Sequence, residues 1–315
     1  MSERHGHGGA GAAFPRVALG CGNFGGIGSA PELFGKGTSE EEAFRIMDAA
    51  WELGIEWFDT ADAYGGGRSE AMIGKWMERT GRRPFVTTKT FNPMEAGGDH
   101  GLAPERIVRQ ITGSLERLGV DSVDLYLAHS FDPDTPLEET FAAFDDLVRA
   151  GTIRAYGVSN FAADELGAAV RVGNPALIQN AYSLLERDDE RGVLPLCAAN
   201  GVAYQAYSPL AGGWLTGKYR RGEPPPPGSR MTLRPGPYLD LDNERTYRGV
   251  DRLAVGASER GVSGSALALA WVLGHPDVTA IVVGPSRPQH LEPVREALAL
   301  ELSPDERDEI ASFFS

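Results

Sequence analysis

Val123-Asp124-Leu125-Tyr126-Leu127-Ala128-His129 is a short, largely apolar run that ends on an imidazole. Before it lies a helical stretch in which Ile107, Ile111, Leu115 and Leu118 share one face and Gly119 supplies the stop. A brief apolar run bounded by a helix, without clean polar alternation, suits a parallel strand buried on both faces. The same pattern recurs along the chain at Val17–Gly22, Glu56–Asp59, Phe85–Lys89, Ala155–Ser159, Leu177–Asn180, Val202–Tyr207 and Thr279–Val283. With Val123–His129 that makes eight expected strands.

The segments between them carry helix signals. Ser39 with Glu42, and Thr135-Pro136-Leu137-Glu138, have the pattern of capping boxes, the second with Pro at the first helical position, and Gly54 marks a stop. Helix signals also run from Asn243 to Gly261 and from Ser263 to Leu273, and Ser303-Pro304-Asp305-Glu306 opens a last helix outside the main repeat. Eight strand–helix units can close as a barrel or stay open as a doubly wound sheet. The open fold's Gly-x-Gly-x-x-Gly fingerprint is not cleanly present, because no amphipathic helix opens after Gly22-Asn23-Phe24-Gly25-Gly26-Ile27-Gly28. The expected fold is therefore a (β/α)8 barrel in one domain over residues 15–315, after a disordered tail at 1–14. It carries an extra C-terminal helix and a long loop after strand 7, from Lys218 to Asn243, with four consecutive prolines.

The chain has 315 residues, 42 % of them apolar, and a net charge of −14. That acidity argues against a general nucleic-acid or anionic-membrane partner, since both need a basic face, and leaves room for a local basic pocket that takes a phosphorylated ligand. Cys21 and Cys197 are too few and too distant for a disulfide framework and read as small apolar side chains. No apolar run is long enough to span a bilayer, and Met1 to Ala13 lacks the apolar core of a signal peptide. His5 and His7 sit among glycines in the expected tail. A cytoplasmic location follows as the expectation.

In a barrel of this kind the site forms at the carboxyl ends of the strands. Asp59, Lys89, His129, Ser159-Asn160, Gln179-Asn180 and Tyr207-Ser208 all fall there, with Tyr64 shortly after Asp59. A phenol, an ammonium, a carboxylate and an imidazole are the parts needed to deliver a proton to a carbonyl oxygen. Each has a structural explanation alone: Asp59 as a cap, Tyr64 as rim packing, Lys89 as a solvated strand end, His129 as a satisfied histidine. Their joint placement at successive strand ends has none.

The order Asp59, Tyr64, Lys89, His129, with spacings of 5, 25 and 40 residues, resembles the aldo-keto reductase superfamily from about Val17 to the C-terminus. The resemblance implies Tyr64 as general acid, Lys89 lowering its pKa, Asp59 paired with Lys89, and His129 positioning the carbonyl oxygen. It implies a nicotinamide held by Ser159, Asn160 and Gln179 and stacked on Tyr207. Gly22, Asn23, Phe24 and Asp59 join that cofactor set. So do Ser208, Leu210 and Gly212, in a loop resembling the one that covers the pyrophosphate, with Lys218 and Arg230 adding charge. Gly284, Ser286, Arg287 and His290 resemble the segment that grips an adenosine 2′-phosphate, which favours NADP(H) over NAD(H). The chain departs from the family where many relatives carry Gln and then Glu-Asn. It has His290, Pro293 and Val294, and loses those polar contacts to adenine.

Phe24, Phe91, Ser130, Phe131, Trp214 and Tyr238 are the candidate walls for a small carbonyl or alcohol substrate. No metal is implied. Two rivals remain open: a cofactor-binding, redox-sensing regulatory subunit with slow turnover, and a metal-dependent hydrolase using Asp59 and His129. The second has no further His at ligand spacing nearby, and Lys89 would repel a cation.

Overall fold

The computed structural model describes residues 14–315. Eight parallel strands, in chain order, close into a barrel as β1 pairs with β8. They are β1 (Val17–Gly20), β2 (Trp57–Asp59), β3 (Phe85–Thr90), β4 (Val123–Ala128), β5 (Ile153–Ser159), β6 (Leu177–Ala181), β7 (Ala203–Tyr207) and β8 (Ala280–Val283). Each expected strand is present, with ends moved by one or two residues. Outside them run α1 (Glu40–Glu52), α2 (Arg68–Thr80), α3 (Pro104–Leu118), α4 (Leu137–Arg149), α5 (Ala163–Val172) and α6 (Val193–Asn200). The chain continues with α7 (Arg230–Leu233), α8 (Glu244–Glu259), α9 (Gly264–Leu273), α10 (Glu292–Leu298) and the terminal α11 (Pro304–Ser312).

The strands show no polar alternation because both of their faces are covered. Successive side chains in a strand point to opposite faces. One set, including Ala18, Trp57, Leu125, Leu127, Leu177, Ala280 and Val282, forms a small cluster inside the barrel. The other, including Leu19, Phe58, Val86, Tyr126 and Ile178, joins the large cluster shared with the helices. Counting by twos along the inner face carries Trp57 to Asp59, Phe85 to Lys89, Leu127 to His129, Leu177 to Gln179 and Ala203 to Tyr207. Every expected strand-end site residue in that series therefore projects from the inner face at one mouth of the barrel.

Several helix starts match their sequence signals. Ser39, Asn243, Ser263 and Ser303 each accept a backbone N–H of the first turn, and Ser303 with Glu306 forms a complete capping box. Ser39 provides only half of a box. The Thr135 pattern is a correction: Thr135 Oγ1 donates to Asp132 Oδ2 at 2.8 Å, and α4 begins after Pro136 with no side-chain cap. Asp132 is the stronger acceptor and takes the hydroxyl away from the helix.

The long connection after β7 holds α7 and a 3-10 turn over Gly236–Leu241. Most of the expected tail, with His5 and His7, lies outside the described residues. Phe14 does not belong to a tail: it stacks on Trp57 with ring centroids 5.4 Å apart and meets Phe85 edge-on, plugging the amino end of the barrel. Among the described residues no helix is long and apolar enough to cross a membrane.

Candidate active site

Lys89 organises the barrel mouth. Its Nζ donates to Asp59 Oδ1 at 2.6 Å and to the Thr60 carbonyl at 2.9 Å, and its side chain is fully buried. It is no solvated strand end. Burial opposes its charge, but Asp59 and Tyr64 outweigh burial and hold its pKa above the ordinary lysine value. The second carboxylate oxygen of Asp59 accepts Gln179 Nε2 at 2.7 Å, and that same nitrogen contacts Gln205 Oε1.

Lys89 Nζ lies 5.1 Å from the centre of the Tyr64 ring, and Tyr64 meets His129 edge-to-face at 5.6 Å. Burial pushes the Tyr64 pKa up, and the cation of Lys89 recovers only part of that shift, so the phenol stays protonated at neutral pH. Lys89 pulls the Tyr64 pKa in the expected downward direction, against a larger upward push from burial. His129 moves the other way. Burial first, then Lys89 and Arg234, lower its pKa to about 3, leaving a neutral ring. The four groups thus meet as a buried ion pair, a protonated phenol and a neutral imidazole.

The next strand ends form a hydrogen-bonded rim. Ser159 Oγ donates to the Gln179 carbonyl at 2.8 Å. Asn160 Nδ2 donates to the His129 carbonyl at 2.8 Å, and Tyr207 Oη donates to Asn160 Oδ1 at 2.6 Å. Asn160, Ser208 and Ala211 all hold positive φ, 58°, 52° and 47°, a conformation costly for non-glycine residues that clusters at functional sites. Beyond β7, Gly213 has φ 96°, and a Cβ there would sit 2.4 Å from Lys218 Nζ. Lys218 is therefore folded over the glycine turn. Tyr238 closes over Gly212 from the long loop, and Leu210 is half-buried beside them.

Three cations converge there without carboxylate partners. Arg230 donates to Asn23 Oδ1, and its neighbours include Arg234 and Lys218. Burial and then Arg230 lower the pKa of Lys218. Among the described residues, none of Lys218, Arg230, Arg234 and Arg287 forms a salt bridge, in a chain of net charge −14. Unpaired, partly desolvated cations mark a place that suits phosphate. Gly284, Ser286, Arg287 and His290 are all exposed, with Ser286 Oγ 3.3 Å from His290 Nδ1. The donor set thus fits a dinucleotide phosphate, and the polar rim of Ser159, Asn160 and Gln179 fits a nicotinamide amide.

Some expected residues do not reach the cleft. The side chains of Phe24 and Trp214 belong to the core, so neither ring lines a substrate wall, and only the backbone of Phe24 is left for a ligand. Phe91, Ser130, Phe131 and Tyr238 remain partly open. Val294 is also core, so its lost polarity is a packing choice of α10. Sequence reasoning missed Arg234, which lies against Gly28 beside the Tyr64 turn, and the pair Asn92 and Arg106 behind His129. A proline-rich loop gives no signal of where its arginines land. Among the described residues no group of three or more His, Cys, Asp or Glu side chains is arranged to hold a metal.

A closed parallel barrel with a buried Lys–Asp pair, a phenol and a neutral imidazole at its carboxyl-end mouth defines a class of carbonyl oxidoreductases. The comparisons agree with it. The sequence profile of the aldo/keto reductase family matches residues 16–314. An uncharacterised oxidoreductase, YrpG, of Bacillus subtilis is 36 % identical over 287 residues, covering 85 % of this chain and 86 % of the relative. A probable voltage-gated potassium channel subunit beta of rice is 34 % identical, covering 86 % and 85 %. Among solved structures, a glycerol dehydrogenase from Gluconobacter oxydans superposes with a TM-score of 0.83 at 28 % identity, covering 96 % of this chain and 93 % of that one. The chain belongs to the aldo/keto reductase family, oxidoreductases that work with nicotinamide cofactors.

Proposed function

We propose that this protein reduces an aldehyde or ketone to an alcohol with NADP(H), Tyr64 acting as the general acid. The observation that carries the proposal is the fully buried Lys89, bonded to Asp59 at 2.6 Å and 5.1 Å from the Tyr64 ring. Buried charge pairs set against a further titratable group cluster at functional sites. When bound, the nicotinamide supplies the hydride. Tyr64 gives its hydroxyl proton to the carbonyl oxygen, and the phenolate left behind faces Lys89, whose charge stabilises it. Asp59 holds Lys89 in place, and Gln179 and Thr60 hold the pair. His129, neutral, offers a hydrogen bond to the same oxygen without competing for the proton. Ser159, Asn160 and Gln179 would hold the nicotinamide amide beside the Tyr207 ring, Gly22 and Asn23 would border it, and Ser208, Leu210, Gly212, Lys218 and Arg230 would hold the pyrophosphate. Gly284, Ser286, Arg287 and His290 would take the 2′-phosphate.

Partly open Phe91, Phe131 and Tyr238 favour a substrate with apolar or aromatic surface. The test is Tyr64→Phe, which keeps the ring and removes the proton donor. Turnover of an aldehyde panel, followed by NADPH absorbance, should fall by at least about 100-fold while NADPH affinity hardly moves. Near wild-type turnover in the variant would sink the assignment. The likeness to the rice channel subunit supports a second use of the same site, as a slow redox sensor. Tight NADPH binding with single-turnover reduction slower than about one per minute would favour it over a metabolic enzyme, whose turnover is typically about 1–1,000 per second.

A further inference from the structure

A neutral imidazole has one N–H, and the nitrogen that carries it decides whether the ring donates or accepts at the cleft. Burial and the nearby cations keep His129 neutral, so its tautomer must be fixed by a neighbour. Asn92 Nδ2 lies 3.1 Å from His129 Nδ1. An amide nitrogen offers only hydrogens, so this contact is a hydrogen bond only when Nδ1 presents its lone pair and the ring proton sits on Nε2. No other protein group bonds the ring among the described residues, which leaves that N–H for the cleft.

The pair is held from behind. Arg106, on α3 and 3 % exposed, donates to the Asn92 carbonyl at 2.7 Å, to Thr90 Oγ1 at 2.7 Å and to the Gly101 carbonyl at 3.1 Å. The His129 backbone N–H hangs from the Thr90 carbonyl at 2.9 Å, so the ring and the amide share one support at the end of β3. Asn160 fixes the His129 carbonyl from the other side.

We propose that Asn92, anchored by Arg106, is a positioning residue that locks His129 in the Nε2–H tautomer, so that the ring presents a donor to the oxygen that Tyr64 protonates. This rests on the carbonyl-reductase function proposed above. With the amide turned over, its oxygen would draw the proton to Nδ1, and Nε2 would become an acceptor that repels a carbonyl oxygen.

The experiment is a long-range proton–nitrogen spectrum of 15N-histidine-labelled protein, with His129 assigned by the signal lost in His129→Gln. Wild type should show protonated Nε2 and bare Nδ1. The near-isosteric Asn92→Asp presents only acceptors, so Nδ1 should carry the proton. At pH well above the histidine range, its kcat for a neutral aldehyde should fall by about 100-fold, the scale for losing one donor to a developing oxyanion. NADPH affinity should stay within about two-fold, since the ring proton acts on substrate and not on cofactor. Nδ1–H in wild type would overturn the proposal, as would a variant that keeps the wild-type tautomer and rate. A wild-type protein that reduces no carbonyl compound would instead overturn the proposed function, and the catalytic role of Asn92 with it. The tautomer signal separates the two failures.

Discussion

Asp62 and His129 are buried titratable groups that pull stability in opposite directions. Burial, then the charge of Glu70, raise the Asp62 carboxyl to about 7, against the pull of Arg106, and its Oδ2 has no partner among the described residues. The folded protein holds a proton there that the unfolded chain releases between about pH 4 and pH 7. That contribution is complete below the unfolded carboxylate pKa and is lost as pH rises through about 7. His129, lowered to about 3, contributes above about 6.5 and loses its share as pH falls. Asp62→Asn keeps the acceptor bonded to the Ala63 N–H but removes the titration. Its melting temperature relative to wild type should rise between about pH 5 and pH 8.5, and an equal difference at both would show that Asp62 is not titrating. Asp62 stands three residues after Asp59 and two before Tyr64, yet no sequence pattern marks it as buried and half-satisfied. Asp59, Lys89 and His129 were legible because each closes an apolar strand. Asn92 and Arg106 were not, because their link joins the loop after β3 to a helical residue fourteen positions further along the chain and follows no motif.

Elements were legible wherever local chemistry decided them, and less so where packing did. The caps at Asn243, Ser263 and Ser303 are local, and all three formed. The exit from β7 was readable as a long loop, but its helical turns and the landing points of Arg230 and Arg234 depend on distant partners, Asn23 and Gly28. The seating of α11 is a packing fact of the same kind. Gly249 lies mid-helix in α8, where alanine would ordinarily stabilise by roughly 0.5–1 kcal/mol. A Cβ at Gly249, however, would meet the Phe314 ring at 2.2 Å, just past the end of α11. Gly249→Ala should therefore destabilise by about 1–3 kcal/mol, the cost of overpacking. Urea denaturation measures it, and Phe314→Leu in the same chain should recover part of the loss. A stabilised Gly249→Ala would mean that the C-terminal helix is not seated on α8.

At the scale of the whole molecule, acidity and the barrel mouth are in tension: a chain of net charge −14 gathers Lys218, Arg230, Arg234 and Arg287 unpaired around the proposed dinucleotide groove. His290 reports on that tension. Burial, then Lys218 and Arg287, hold its pKa below the ordinary histidine value, with Ser286 as the only hydrogen-bonding neighbour of its ring among the described residues. A phosphate placed among these groups would reverse the sign of the local field and raise the His290 pKa. The bound state would then hold a proton that the free state lacks near neutral pH. By linkage, affinity for the phosphorylated cofactor is greatest at low pH and declines as pH rises through the bound-state value, roughly pH 6 to 8. Calorimetric titration of NADPH in two buffers of different ionisation enthalpy should therefore reveal proton uptake near pH 7. The uptake should vanish in His290→Ala and be absent with NADH, which lacks the 2′-phosphate. Because the remaining attraction comes from partly exposed cations, NADPH affinity should also fall more steeply with salt than NADH affinity. Equal salt slopes, together with no proton uptake in wild type, would place the 2′-phosphate away from His290 and Arg287 and remove the basis for an NADP(H) preference.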